Sequence, residues 1–228
     1  MLANYGLNKE EVNPLINRAL APQNSGQWVP GLMLAAVDYD DAFAARFIAI
    51  ATGTNTPDNA RGAAIKWLPW NRMQGGVTML KSLLNDPDPK IWSPLASTIA
   101  GIYSSRRGVP GESQRPAEIF QPQEVRPLIE RMLSSSNQED WFYAVNLAGM
   151  SGDDALTPKL LALATTPHSA EQYNAICALA LNRTDEGVKT LKTLLSDPDP
   201  GVSGAGRAGH TRSLRGAQRR AGPAAAGG

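Results

Sequence analysis

Gly76 to Pro89 reads GVTMLKSLLNDPDP, and Gly187 to Pro200 reads GVKTLKTLLSDPDP. In each copy apolar residues fall at i, i+3, i+6 and i+7. Val77, Leu80, Leu83 and Leu84 in the first, and Val188, Leu191, Leu194 and Leu195 in the second, therefore share one face of a helix. Thr78, Lys81 and Ser82 take the other face. The Asp-Pro-Asp-Pro ending stops the helix, because a residue before proline is pushed out of the α region. It also starts the next one, since Asp is a good N-cap and Pro is tolerated in a first turn. A helix with a single greasy stripe, written twice, must hide that stripe against neighbours of its own kind. The pair of segments predicts a repeat protein.

The rest of the chain follows the same rhythm. Asn8 is placed to cap a helix reaching Ala21, with Val12, Leu15, Ile16 and Leu20 as its stripe. Helices are predicted over Gln27–Val37, Asp41–Ala51, Asn59–Trp70 and Lys90–Tyr103. After an interruption they resume over Glu124–Ser134, Asp140–Met150, Leu156–Thr165 and Ala170–Leu181. VRPLIERML, within Glu124–Ser134, echoes VNPLINRAL at Val12 to Leu20. Aligned on Leu20, Ile50, Leu84, Leu133, Ala164 and Leu195, helix ends recur roughly every 30 to 34 residues, apart from one longer step. Two helices per period describe an all-α fold, an α-solenoid of stacked antiparallel helix pairs. Residues 1–200 form the repeat domain on this reading. Residues 104–122, rich in Arg, Gly and Pro, are a loop inserted into one repeat. Residues 201–228 are rich in Gly, Arg and Ala, with few large apolar residues. They are expected to be disordered or poorly packed, leaving the last helix uncapped and able to self-associate.

Composition removes several classes of function. The 228 residues carry a formal net charge of +1, so nothing calls for nucleic acid or an anionic membrane. A single cysteine forbids an internal disulfide framework. No apolar run reaches the ~18 residues that span a bilayer, and the first residues lack the pattern of a signal peptide. A soluble, cytoplasmic protein is expected.

The Asp-Pro-Asp-Pro turns, the LLN and LLS helix ends before them and the small residues Ala175, Ala178 and Ala180 resemble the HEAT-repeat family. The resemblance is to the short HEAT-like repeats of the phycobilisome lyase type, over roughly Asn8 to Pro200. The family often carries Val-Arg just after the turn. Here Trp92 and Trp141 stand near that place, and Arg61 alone looks like the family's arginine. The resemblance implies a right-handed superhelix whose second helices line a concave face, a scaffold that serves many roles.

No chemistry-bearing constellation stands out. His168 and His210 are isolated, and Cys177 lies among Ala and Leu, where it reads as a small core residue. No zinc set or Cys–His pair follows. The acidic pairs and triplets at Asp38, Asp40 and Asp41 and at Asp153 and Asp154 precede helices. They read as caps rather than as calcium loops. There is no phosphate-binding glycine motif and no nucleophile elbow. Trp28, Trp92, Trp141 and Tyr173 recur near helix starts and are expected in the core between repeats, with a ligand-stacking platform as the alternative. The candidate binding residues are polar positions on the second helices. Lys81, Glu130 and Lys192 each stand three before a helix-ending leucine, and Arg18 and Arg131 match one position later. Arg106 and Arg107, in the inserted loop, are placed to close over a partner. The expectation is a non-catalytic scaffold without a cofactor, binding a protein or peptide along a mixed-charge face. The alternatives are a HEAT-like enzyme, either a bilin lyase or an alkylation-type DNA glycosylase, and a structural spacer in a larger protein.

Overall fold

The first local rule visible in the structure is how the two Asp-Pro-Asp-Pro turns are wired. In this computed structural model Asp86 Oδ1 accepts from the Asp88 amide at 2.9 Å, and Asp88 Oδ1 accepts from the Lys90 amide at 3.0 Å. The second copy repeats it. Asp197 Oδ1 accepts from the Asp199 amide at 2.9 Å, and Asp199 Oδ1 accepts from the Gly201 amide at 2.7 Å. Each first aspartate folds the turn and each second one caps the helix that follows. The structure describes residues 8–38, 43–69, 76–104, 119–166, 170–182 and 184–206.

The chain divides into two units, Met1–Gln121 and Pro122–Gly228. The first holds α1 (Lys9–Ala19), α2 (Trp28–Asp38), α3 (Ala44–Thr52), α4 (Asp58–Trp67), α5 (Gly76–Leu83) and α6 (Pro89–Ser104). The helices pair in chain order, α1 with α2, α3 with α4 and α5 with α6, and α2, α4 and α6 stack in series. The second unit holds α7 (Pro122–Leu133), α8 (Gln138–Ser151), α9 (Thr157–Ala164), α10 (Ala170–Asn182) and α11 (Asp185–Leu194), followed by helix over 200–206. There α7 packs on α8 and α9 on α10, while α8 stacks on α10 and α9 on α11. The fold is an all-α solenoid of stacked helix pairs, with no strand among the described residues.

Periodicity and caps explain these elements. Asn8 and Glu11 form a reciprocal capping box on α1, at 2.9 and 3.1 Å. Asn137 caps α8 and Thr184 caps α11. Val12, Ile16 and Leu20 are buried as predicted, and so are Leu80, Leu83 and Leu84. Leu15 is 48% exposed and falls off the stripe. Gly76, read above only as part of a helix start, is buried against the Leu68 carbonyl, where a Cβ would collide. In α1, α6 and α7 a proline (Pro14, Pro94, Pro127) stands at the sixth residue, so an interior proline is itself part of the repeat.

Among the described residues three rungs couple a helix (α4, α7 or α9) to a cap 27 residues on. Arg61 in α4 donates to Asp88, the cap of α6, and to the Gly53 carbonyl. Arg126 in α7 grips Asp153 ahead of α9 with two bonds, at 2.6 and 2.8 Å. Thr157 in α9 meets Thr184, the cap of α11, at 3.5 Å. Arg126 in the second unit thus makes a bond like that of Arg61 in the first, although in sequence only Arg61 resembles the family's arginine. Asp153 also accepts from the Ala155 amide, so the capping reading of this acidic pair holds.

The Asp153 rung gives a prediction. The Arg126 hydrogen bond, helped by the Ala155 amide, holds the Asp153 carboxyl below its ordinary value against the opposing effect of burial. A depressed folded value means the stabilisation is complete above the unfolded value and is lost as pH falls through the folded one. Thermal unfolding followed by circular dichroism should therefore show a melting temperature that drops below about pH 4. In Asp153→Asn the melting temperature at pH 7 should be lower and its acid dependence shallower. An acid limb of equal steepness in both proteins would remove this rung from the account.

Ser104 ends α6 and Pro122 opens α7; residues 105–118 of the expected loop lie outside the described residues, and Ile119 and Phe120 at its end are buried. The Tyr103 hydroxyl ties down that end by donating to the Phe120 carbonyl at 2.7 Å. The solenoid rhythm does not end at Pro200. Asp199 supplies a cap, Val202 and Ala205 are buried, and Gly206 fits against Leu194. The last helix is therefore partly covered, and small apolar residues suffice where large ones were thought necessary. Residues 207–228 lie outside the described residues.

Candidate functional site

Trp141, Phe142 and Tyr143 follow one another in the first turns of α8. At about 100° per residue they span roughly 200° of the helix, so one buried stripe cannot absorb all three. Trp141 and Tyr143 are half-buried, and Phe142 is 45% exposed. The Phe142 and Tyr143 rings meet edge to face at 5.5 Å. Near the start of α10, Tyr173 is 57% exposed. The aromatic residues of α8 line a hollow of about 360 Å³, together with Gln138 and Glu139 from the same helix and Glu171 and Asn174 from α10. Among the described residues neither Glu139 nor Glu171 has a cationic partner.

The walls are held rigidly. Asn137 Oδ1 accepts from the Glu139 amide at 2.9 Å and fixes the first turn of α8. Asp140 is buried and accepts from the Ser135 hydroxyl at 2.8 Å. On α10, buried Gln172 donates to the Ala164 carbonyl at 3.1 Å, and Ala175 and Ile176 face the core. Below the hollow Gly149 of α8 lies directly on Ala178 of α10. The result is a groove with one aromatic wall, from α8, and a carboxylate from each helix in its lining. It can stack on flat or cationic groups and accept hydrogen bonds. A larger hollow of about 750 Å³, at Thr165, Gln172, Leu194 and Asp197 to Val202, has its two carboxylates engaged by backbone amides.

The aromatic residues behave in two ways that the core expectation did not separate. Trp28 and Trp92 seal turns: their indole N–H groups donate to the Ala21 and Asp86 carbonyls at 3.0 and 2.9 Å. Tyr173, expected in the core, is the most exposed of the large apolar and aromatic side chains among the described residues. Of the polar candidates, Arg18 and Lys192 are exposed in α1 and α11. Lys81 is half-buried, with its ammonium over the Phe120 ring at 5.6 Å. Glu130 is exposed and pairs with Lys159 at 3.1 Å, and Arg131 is half-buried in the same helix. Arg106 and Arg107 lie outside the described residues, as do His168 and His210. Cys177 is half-buried in α10, and no cluster of potential metal ligands occurs among the described residues. Nor is any described helix long and apolar enough to cross a membrane. The structure brings none of the predicted polar residues into the aromatic groove. The signal that points to the groove is the unbroken aromatic triplet.

No protein-family pattern matches this chain, and no curated protein matches it. Solved structures do. An engineered protein from a structural genomics programme superposes with a TM-score of 0.55 at 19% identity, over 92% of this chain and 98% of that one. A designed armadillo repeat protein gives 0.54 at 16%, over 88% of this chain and 99% of that one. Human deoxyhypusine hydroxylase gives 0.38 at 11%, over 88% and 83%. Identities this low speak for fold alone, and the first two place the chain among helical repeat folds.

Proposed function

We propose that this chain is a non-catalytic HEAT-type module that binds a protein or peptide in the aromatic groove between α8 and α10. The observation that carries the reading is the exposure of Phe142 in the lining of the hollow, with Tyr173 exposed on α10 between the lining residues Glu171 and Asn174 in sequence. Large aromatic groups at a rigid surface are the residue types that dominate binding energy when covered. The repeat architecture supports it, since stacked helices offer surface rather than an enclosed reaction chamber. The near-neutral charge supports a protein or peptide partner over nucleic acid.

The test is selection from an unbiased displayed peptide library. Phe142→Ala/Tyr173→Ala should lose the selected peptides by at least about tenfold in Kd, with an unchanged circular dichroism spectrum. Selected peptides that bind parent and variant equally would move the site elsewhere. Duplex DNA binding at low salt would favour the glycosylase alternative.

A further inference from the structure

We infer that the occupant of the α8–α10 groove is an extended peptide segment presenting arginine or lysine, its cationic side chain seated among the aromatic rings and paired with Glu139 and Glu171. This rests on the peptide-binding reading above and names its partner class. Charge complementarity carries it. The groove has two carboxylates, Glu139 exposed and Glu171 half-buried, and no cation in its lining. Elsewhere in this unit Glu130 pairs with Lys159 and Asp153 with Arg126, while the exposed Asp154, Asp185 and Glu186 have no cation among the described residues either; what sets Glu139 and Glu171 apart is that both line one hollow with aromatic rings. Two acids left without a cationic partner among the described residues, on facing helices and next to exposed rings, attract a cation from outside.

The rings argue for the same ligand. A guanidinium or ammonium is drawn to the negative face of Trp, Tyr or Phe, and the attraction grows as water is excluded. Among the described residues the interaction already occurs with Lys81 over Phe120 and with Lys66 over Trp67 at 5.7 Å. A purely apolar occupant would bury the carboxylates without compensation, and an acidic one would add like-charge repulsion. The hollow of about 360 Å³ has room for one long side chain and its flanking backbone, not for a folded domain. Gln138 and Asn174 offer amides to that backbone.

The experiment uses the full chain and three capped octapeptides, of alternating alanine with arginine, citrulline or glutamate. Binding is followed by isothermal calorimetry at low and physiological salt. The arginine peptide should bind at least about tenfold more tightly than the citrulline peptide, and the glutamate peptide not measurably. Glu139→Gln/Glu171→Gln should abolish that preference while keeping the circular dichroism spectrum of the folded parent, with at most the small loss of melting temperature expected from neutralising two first-turn carboxylates. Equal binding of the arginine and citrulline peptides would overturn the charge assignment. Library-selected peptides without basic residues, lost on Phe142→Ala/Tyr173→Ala, would overturn it too while leaving the peptide-binding reading intact. Failure of every peptide, together with dimerisation in light scattering that Phe142→Ala/Tyr173→Ala abolishes, would assign the groove to a second copy of the chain and overturn both.

Discussion

Gly149→Ala should lower the stability of the second unit, although helix propensity alone says the opposite. Replacing an interior helical glycine by alanine ordinarily gains about 1 kcal/mol. At Gly149 the added Cβ would lie 2.7 Å from both the Cα and the carbonyl oxygen of Ala178, and 3.0 Å from its Cβ. Those atoms belong to backbone and a methyl group, which cannot swing aside, so α8 and α10 must separate. Overpacking of this kind costs about 1–3 kcal/mol, enough to reverse the sign. Gly149→Leu should go further and prevent cooperative folding of the unit. Gly101 supplies the control: it is also helical, in α6, and a Cβ there meets nothing within 4 Å. Gly101→Ala should be neutral or stabilising by up to about 1 kcal/mol. Urea unfolding monitored by circular dichroism would distinguish the two. Equal stabilisation by both substitutions would mean that the helices of this pair do not approach as described. The variant also bears on function, because the same contact sets the spacing of the groove walls.

That contact shows what the sequence could and could not reveal. The helix pairs and their serial order follow from apolar spacing, caps and Pro stops, all of which are local. Predicted and observed bounds agree within a few residues, as for Asp140–Met150 against Gln138–Ser151 and Ala170–Leu181 against Ala170–Asn182. The period itself is visible because the Asp-Pro-Asp-Pro turn solves the same local problem twice, with the same four hydrogen-bonding atoms. Long-range partners are another matter. Gly149 in NLAGMS and Ala178 in ICALAL are ordinary small residues until their helices cross. The rung from Arg126 to Asp153 joins residues whose sequence contexts share nothing with Arg61 and Asp88 beyond a spacing of 27. Interior prolines did not hide the helices: Pro14, Pro94 and Pro127 each stand inside a predicted helix, at a single place where the repeat accommodates a missing donor, because the apolar stripe continues on both sides.

The candidate site was half legible. Lys81 and Glu130 looked free for a partner because periodicity assigns a face and not a neighbour. In the structure Phe120, from the end of the inserted loop, takes up Lys81, and Lys159 takes up Glu130. Tyr173 looked like core because it recurs with the tryptophans near helix starts. Periodicity of 3.6 would have placed it better: Gln172, Ala175, Ile176 and Leu179 form the buried stripe of α10, and Tyr173 falls between its turns. The exposed aromatic groove is thus a departure from the pattern that builds the fold, and such departures are where function is expected to sit.

Arg61→Ala should be the most damaging single substitution in the first unit that removes a polar contact. Its side chain is only 3% exposed, and it joins the Gly53 carbonyl before α4 to the cap of α6. Removing it opens a cavity, orphans the Gly53 carbonyl and leaves Asp88, 37% exposed, to find water. Together these cost about 2–4 kcal/mol. Arg61→Lys should recover only part of the loss, since an ammonium cannot hold two acceptors in the guanidinium's fixed fork. The energetic meaning of the rung is separable from packing. Asp88→Ala alone removes the cap of α6, at about 1 kcal/mol, along with the ion pair. In a double-mutant cycle of Arg61→Ala and Asp88→Ala by urea unfolding, a coupling of about 1–3 kcal/mol is expected if the cap and the arginine act as one unit. Strict additivity would mean that Arg61 stabilises through its packed stem and the Gly53 carbonyl alone. The recurrence at 27 residues would then be a consequence of repeat geometry rather than one of its causes.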